Sequence, residues 1–135
     1  MGKPHHHAMS SAKKFGGNME DYLAIHLLLD SSKMAFADNR HRALTHNSWF
    51  VNHILPKIFG DTITNSVGNL VSVIDVAEQH ILEDFSQHFI PTAQDYLALM
   101  TNSAWMNGQG LPSSSYKKEQ NQHSVTYKFN QQDVR

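Results

Sequence analysis

Apolar residues recur every three or four positions from Met19 to about Asn47, through Tyr22, Ile25, Leu28, Leu29, Met34, Ala37 and Leu44. That period predicts one long helix, or two broken near Ser31-Ser32. Asn18 is placed to cap its start, with Glu20 and Asp21 complementing the helix dipole in the first turn. Upstream, His5 to Lys14 predicts a short helix closed by Gly16-Gly17. Downstream, Trp49, Phe50, Ile54, Leu55 and Ile58 carry the helical period over Ser48 to Phe59, where Pro56 either kinks the helix or marks its final turn.

The period changes in the middle of the chain. Within residues 61–73 the string TITNSVGNLVSV holds two short β-branched runs around Asn65 to Asn69, which predicts a hairpin with a loop longer than two residues. Asp75 is then expected to cap a helix reaching about Phe89, with Val76, Ile81, Phe85 and Phe89 on its apolar face. Pro91 suits the first turn of a further helix from Thr92 to Met100. Composition shifts after Trp105. Residues 107–122 are rich in Gly, Ser, Pro, Gln and Lys, as a linker is, and Val125, Tyr127 and Phe129 alternate like a short strand. The expected fold is mainly α: a small helical domain over residues 1–105 carrying one β-hairpin at about 61–73, then a polar linker and tail over 106–135.

The chain has 135 residues, enough for one domain with a core and too few for two ordinary ones. A formal charge of −1 supplies no general attraction to nucleic-acid phosphates or anionic membranes, and no broad basic surface is expected. No apolar run is long enough to span a membrane. The opening MGKPHHHAMSSAKK lacks the apolar segment of a signal peptide, so a cytoplasmic setting is expected. The absence of cysteine removes disulfides, thiolate catalysis and cysteine-ligated zinc.

What the chain has instead is ten histidines, several beside acidic or arginine residues. Imidazole titrates near neutrality and is the commonest metal ligand. His26 and Asp30 lie four apart, on one helix face, as do His80 and Asp84, with His88 a further turn along and Glu78 off that line. Bundle metal sites are built from such pairs projecting inward, and a solvated face is the bland alternative. The densest stretch is RHRALTH, residues 40–46. There arginine could hold a phosphate while a histidine acts as acid or base. His5, His53, His88 and His123 are set aside as tag-like, flanking or surface positions.

Arg40 to His46 resembles the short arginine–histidine motif of HEPN ribonucleases (higher eukaryotes and prokaryotes nucleotide-binding), helical proteins that often dimerise to compose a metal-independent active site. A hairpin at 61–73 departs from that simple helical core. A wider resemblance rests on HHAMSSAKKFGG, DYLAIHLLLDSSK, ADNRHRALTH, FGDTITNSVGN and AEQHILED, across about residues 6–100. Together these strings look like a family of uncharacterised proteins from bacteria and bacteriophages. The resemblance implies a phage or prophage context, in the bacterial cytoplasm or on a virion. It also implies that His6 and His7 belong to the protein and not to a purification tag.

The favoured expectation is a small metal-dependent hydrolase acting on a phosphoester, either a nucleotide or a nucleic acid. His7, His26, Asp30, His41, His80 and Asp84 are its candidate ligands for zinc or manganese. Arg40 or Arg42 would hold phosphate, and His46 or Glu78 would serve as acid or base. The alternatives are a metal-independent ribonuclease using Arg40 and His46, and a non-catalytic phage accessory or virion protein. A homo-oligomer or a phage-protein partner is expected alongside a phosphate-containing substrate.

Overall fold

A computed structural model describes residues 3–110. The chain forms two units, residues 1–100 and 101–135, and the described part of the second holds one 3-10 turn, Ala104–Asn107. The strand expected at 125–129 lies outside the described residues. The first unit is mainly helical with a two-stranded antiparallel hairpin, as the hydrophobic pattern indicates. No helix among the described residues is long and apolar enough to cross a membrane.

Helix α1 (Pro4–Phe15) starts on a proline in its first turn and stops at Gly16, whose φ of +89° suits glycine. Helix α2 (Glu20–Asp30) is capped differently from expectation. Met19 occupies the cap position without a side-chain bond, and the Asn18 N–H instead donates to Asp21 Oδ2 at 2.8 Å. Asp21 also accepts from the Ser66 N–H and hydroxyl, so one carboxylate ties the helix start to the hairpin tip.

The long periodic stretch is broken, not continuous. After Asp30 the chain tightens into 3-10 turns at Ser31–Met34 and Asn39–His41, then forms α3 (Arg42–Thr45). Ser31 donates to the Leu28 carbonyl at 2.6 Å, giving the backbone a local alternative to further helix. Ahead of α4 (Leu55–Phe59), residues Phe50–Ile54 form a π turn in which the Leu55 N–H reaches the Phe50 carbonyl. That one-residue slip accommodates Pro56, which has no N–H to offer the next turn.

Strands β1 (Thr62–Thr64) and β2 (Leu70–Ser72) pair with Ile63 opposite Val71. Asn65 organises their loop: its Oδ1 accepts from the Val67 and Asn69 N–H groups, while its Nδ2 donates to the Phe15 carbonyl and to Tyr22 Oη. Helix α5 (Val73–Asp84) is capped by Ser72, whose hydroxyl accepts from the Asp75 N–H, so Asp75 sits inside the first turn and is not the cap. The helix stops at Asp84 and not near Phe89. Ser86 and Gln87 adopt φ of +55° and +64°, and the Gln87 N–H closes back on the Leu82 carbonyl at 2.7 Å. His88 thereby leaves the face of His80 and Asp84. Helix α6 (Ala93–Leu97) opens with a reciprocal Thr92–Asp95 capping box, and Tyr96 Oη donates to the His46 carbonyl.

The apolar core gathers Tyr22, Ile25 and Leu29 of α2, Val51 and Leu55, and Val73, Val76, Ala77 and Ile81 of α5. On the adjoining face of the same helices lies a second interior, made of histidine and aspartate.

Candidate metal centre

Four-residue spacing sets up that interior. In α2 it stacks His26 beneath Asp30, and in α5 His80 beneath Asp84. Packing α5 against α2 brings these stripes face to face. His46 follows directly on the end of α3, and α1 supplies His7 across a ring stack with His80 at 3.8 Å between centroids. His26, His41, His46 and His80 are all fully buried, and Asp30, at 7% exposure, is the open edge of the group. The solvated-face alternative for His80 and Asp84 does not apply.

Ligand atoms of Asp30, His46, His80 and Asp84 all lie within 4.8 Å of one another. His80 Nε2 is 3.2 Å from Asp30 Oδ1 and 3.2 Å from Asp84 Oδ2, and His46 Nε2 is 3.0 Å from Asp84 Oδ2. Donor accounting fixes which ring nitrogen carries a proton. The Thr45 hydroxyl donates to the Leu29 carbonyl at 2.7 Å, so it accepts from His46 Nδ1–H at 2.8 Å. The Ser11 hydroxyl donates to Gln79 Oε1, so it accepts from His26 Nε2–H at 2.7 Å. His26 Nδ1 is then bare and accepts from His80 Nδ1–H at 2.8 Å. In their neutral forms His46 and His80 therefore carry the proton on Nδ1 and aim an Nε2 lone pair at carboxylate oxygens. This is how ligating imidazoles are oriented by the groups behind them.

Electrostatics points the same way. Burial lowers His46 below the usual imidazole range even with the Asp84 carboxylate beside it. Burial likewise pushes His26 down to about 3, reinforced by its imidazole neighbours His80 and His7. Burial opposes ionisation of Asp30 and Asp84, but the imidazoles of His80 beside both, and of His46 and His7 beside Asp84, hold both carboxyls below their usual range. Two carboxylates facing two imidazole lone pairs, buried, make a pocket of negative potential that a cation would neutralise. The donor set of two nitrogens and two oxygens fits a divalent ion, and Asp30 Oδ2 and Asp84 Oδ1 have no hydrogen-bond partner.

The remaining candidates are distributed around this centre. His26 stands behind His80 and orients it. His41 uses Nδ1 on Ser32 at 2.7 Å, leaving a buried Nε2 without a partner. His7 bonds Glu83 through Nδ1 at 2.7 Å and faces Asp84 Oδ1 through Nε2. His46, expected as an acid or base, sits among the four converging groups. Glu78 is half-buried and makes no side-chain hydrogen bond or ion pair among the described residues. Arg40 lies at the surface: its side chain is 76% exposed, with the guanidinium paired to Asp38 at 2.7 Å and over the Phe36 ring. Arg40 is exposed where His46 is fully buried.

Ser11, Ser32, Thr45, Gln79 and Glu83 went unnoticed in the sequence, yet they set the tautomers. Only Thr45 beside His46 and Glu83 beside Asp84 left a local sign. A family model described as Domain of unknown function (DUF6915) matches residues 2–106, a span that includes every residue of the centre. No curated protein and no solved structure matches the chain.

Proposed function

The chain belongs to this domain-of-unknown-function family, and from the geometry of its site we propose that it binds a divalent metal ion through Asp30, His46, His80 and Asp84 and uses it to hydrolyse a phosphoester. The observation that carries the reading is the pair of fixed tautomers. With Nδ1–H of His46 and His80 committed elsewhere, both Nε2 lone pairs and both carboxylates are directed at one buried point. Zinc and manganese are the ions that suit a mixed imidazole–carboxylate set without thiolates. Such an ion supplies an activated water and charge stabilisation for a phosphoryl oxygen.

The chain's own groups support the hydrolytic step. Arg42, half-buried beside His41 with its guanidinium 5.0 Å from the Phe85 ring, has no carboxylate partner among the described residues. It takes the phosphate-holding role in place of Arg40, whose guanidinium is already paired. His41, with an unpartnered Nε2 and a ring centroid 5.4 Å from that of His46, is the acid–base group on this side. Asp30 marks where substrate would approach.

The test is metal content together with hydrolysis of bis(p-nitrophenyl) phosphate. A bound ion is expected, with activity that EDTA removes and Arg42→Ala depresses. A protein that binds neither zinc nor manganese would remove the reading. RNA cleavage that survives EDTA and is lost in Arg40→Ala would replace it with the ribonuclease alternative. An ion bound without any hydrolysis would leave the metal a structural role, which suits a phage accessory or virion protein.

A further inference from the structure

Asp84 uses only one of its oxygens toward the four-residue centre. Oδ2 meets His46 at 3.0 Å and His80 at 3.2 Å. Oδ1 points elsewhere, 3.2 Å from His7 Nε2, and the Asp84 side chain is fully buried. Although these two atoms are close, neither makes a hydrogen bond, so an N–H on Nε2 would not aim at the oxygen. A buried carboxylate oxygen and a buried imidazole nitrogen left this way are costly unless something between them supplies positive charge.

The tautomer of His7 is also fixed. Its Nδ1 donates to Glu83 Oε1 at 2.7 Å, a carboxylate-backed imidazole of the kind that ligates metals through the other nitrogen. His7 is 2% exposed and stacks on His80, so its ring has little freedom to turn. Its Nε2 nonetheless lies outside the set of ligand atoms within 4.8 Å of one another. It is poorly placed as a fifth ligand of the same ion.

We infer that the centre is dinuclear: Asp84 bridges two cations, one held through Oδ2 with Asp30, His46 and His80, the other through Oδ1 with His7 Nε2 and water. A carboxylate bridging through its two oxygens suits ions about 3.5–4 Å apart, the spacing of two-metal phosphoester hydrolases. The second ion is the more weakly held, having two protein ligands against four. This inference rests on the metal reading above and deepens it. It assigns His7 to the site as a ligand and Glu83 as the group that orients it.

Manganese tests it, because two bridged manganese ions couple magnetically and a single one does not. Titration of the full chain with Mn²⁺ should give two ions per chain of unequal affinity, with an exchange-coupled electron paramagnetic resonance spectrum at saturation. His7→Gln should bind one ion at the unchanged tighter affinity and show an isolated-manganese spectrum. Glu83→Gln should keep both ions but weaken the second by about 10- to 100-fold. One ion per chain in the wild type would overturn the dinuclear centre while leaving the mononuclear reading intact. No bound ion at all would remove both. Two ions retained in His7→Gln would place the second elsewhere and also overturn the assignment.

Discussion

Helices α2 and α5 each contribute to two interiors that obey different rules. One stripe of α2, Ile25 and Leu29, enters the apolar core, while its neighbour, His26 and Asp30, enters the histidine–aspartate centre. Helix α5 divides in the same way, with Val73, Ala77 and Ile81 on one side and His80 and Asp84 on the other. Burial stabilises the apolar stripe whatever its exact partners, at about 25 cal/mol per Å². The polar stripe is tolerated only where each donor and acceptor is met, and a missing partner costs about 1–3 kcal/mol. The apolar region can therefore be complete in the protein alone. The polar region leaves His7 Nε2, Asp30 Oδ2, His41 Nε2 and Asp84 Oδ1 unpartnered among the described residues, which an added cation could meet.

Substitutions can sharpen that contrast. The largest effect is expected for Asp84→Asn. It should weaken metal binding by more than about 100-fold, beyond the range of a change behind the ligands, in a calorimetric titration. Leu29→Ala, next to Asp30 in sequence but on the apolar side, should do the reverse. It should cost about 2–5 kcal/mol in denaturant unfolding while metal affinity in the folded protein stays unchanged. If Leu29→Ala impairs binding as severely as Asp84→Asn, the two interiors are not separable.

Thr45→Val should fall between these, because it removes the hydroxyl that fixes the His46 tautomer and leaves all four converging groups in place. A loss of about 10- to 100-fold in metal affinity is expected with little change in overall fold by circular dichroism.

Acid should act on the polar interior first. His26, His41 and His46 are lowered by burial, so they contribute stability that is present above their unfolded pKa of about 6.5 and lost as pH falls below it. His7 is raised, since the neighbouring carboxylates of Asp84 and Glu83 outweigh its burial, and it works in the opposite sense. Three groups against one give a net loss on acidification. For His26, whose folded value is about 3, the slope is about 1.4 kcal/mol per pH unit between 6 and 4. Denaturation of EDTA-treated protein across that range should show it, and a flat profile would contradict the neutral buried imidazoles. The smallest effect belongs to Arg40→Ala. Its exposed pair with Asp38 should be worth at most about 1 kcal/mol by the same unfolding assay.

Much of the scaffold was legible because helical periodicity and glycine stops are local signals. The first helix, the hairpin with a loop longer than two residues, and the four-residue spacings of His26/Asp30 and His80/Asp84 all read directly from neighbouring positions. The end of α5 did not, because Ser86 and Gln87 take a left-handed conformation that glycine or asparagine usually announces. Nor did the choice between Arg40 and Arg42, which depends on the side chain's surroundings and not on the motif. The orienting groups were least legible. Ser11 meets His26 from 15 positions away and Gln79 from 68, and nothing local distinguishes such a serine from a surface one.

The central claim is that the polar interior is a metal site, and metal content is its most direct measure. Full-length protein equilibrated with Mn²⁺ or Zn²⁺, then dialysed and analysed by plasma mass spectrometry, should retain at least one ion per chain. The Asp30→Asn, Asp84→Asn double variant should retain none. A wild-type protein that keeps no ion, or a double variant that keeps as much as wild type, would contradict the account.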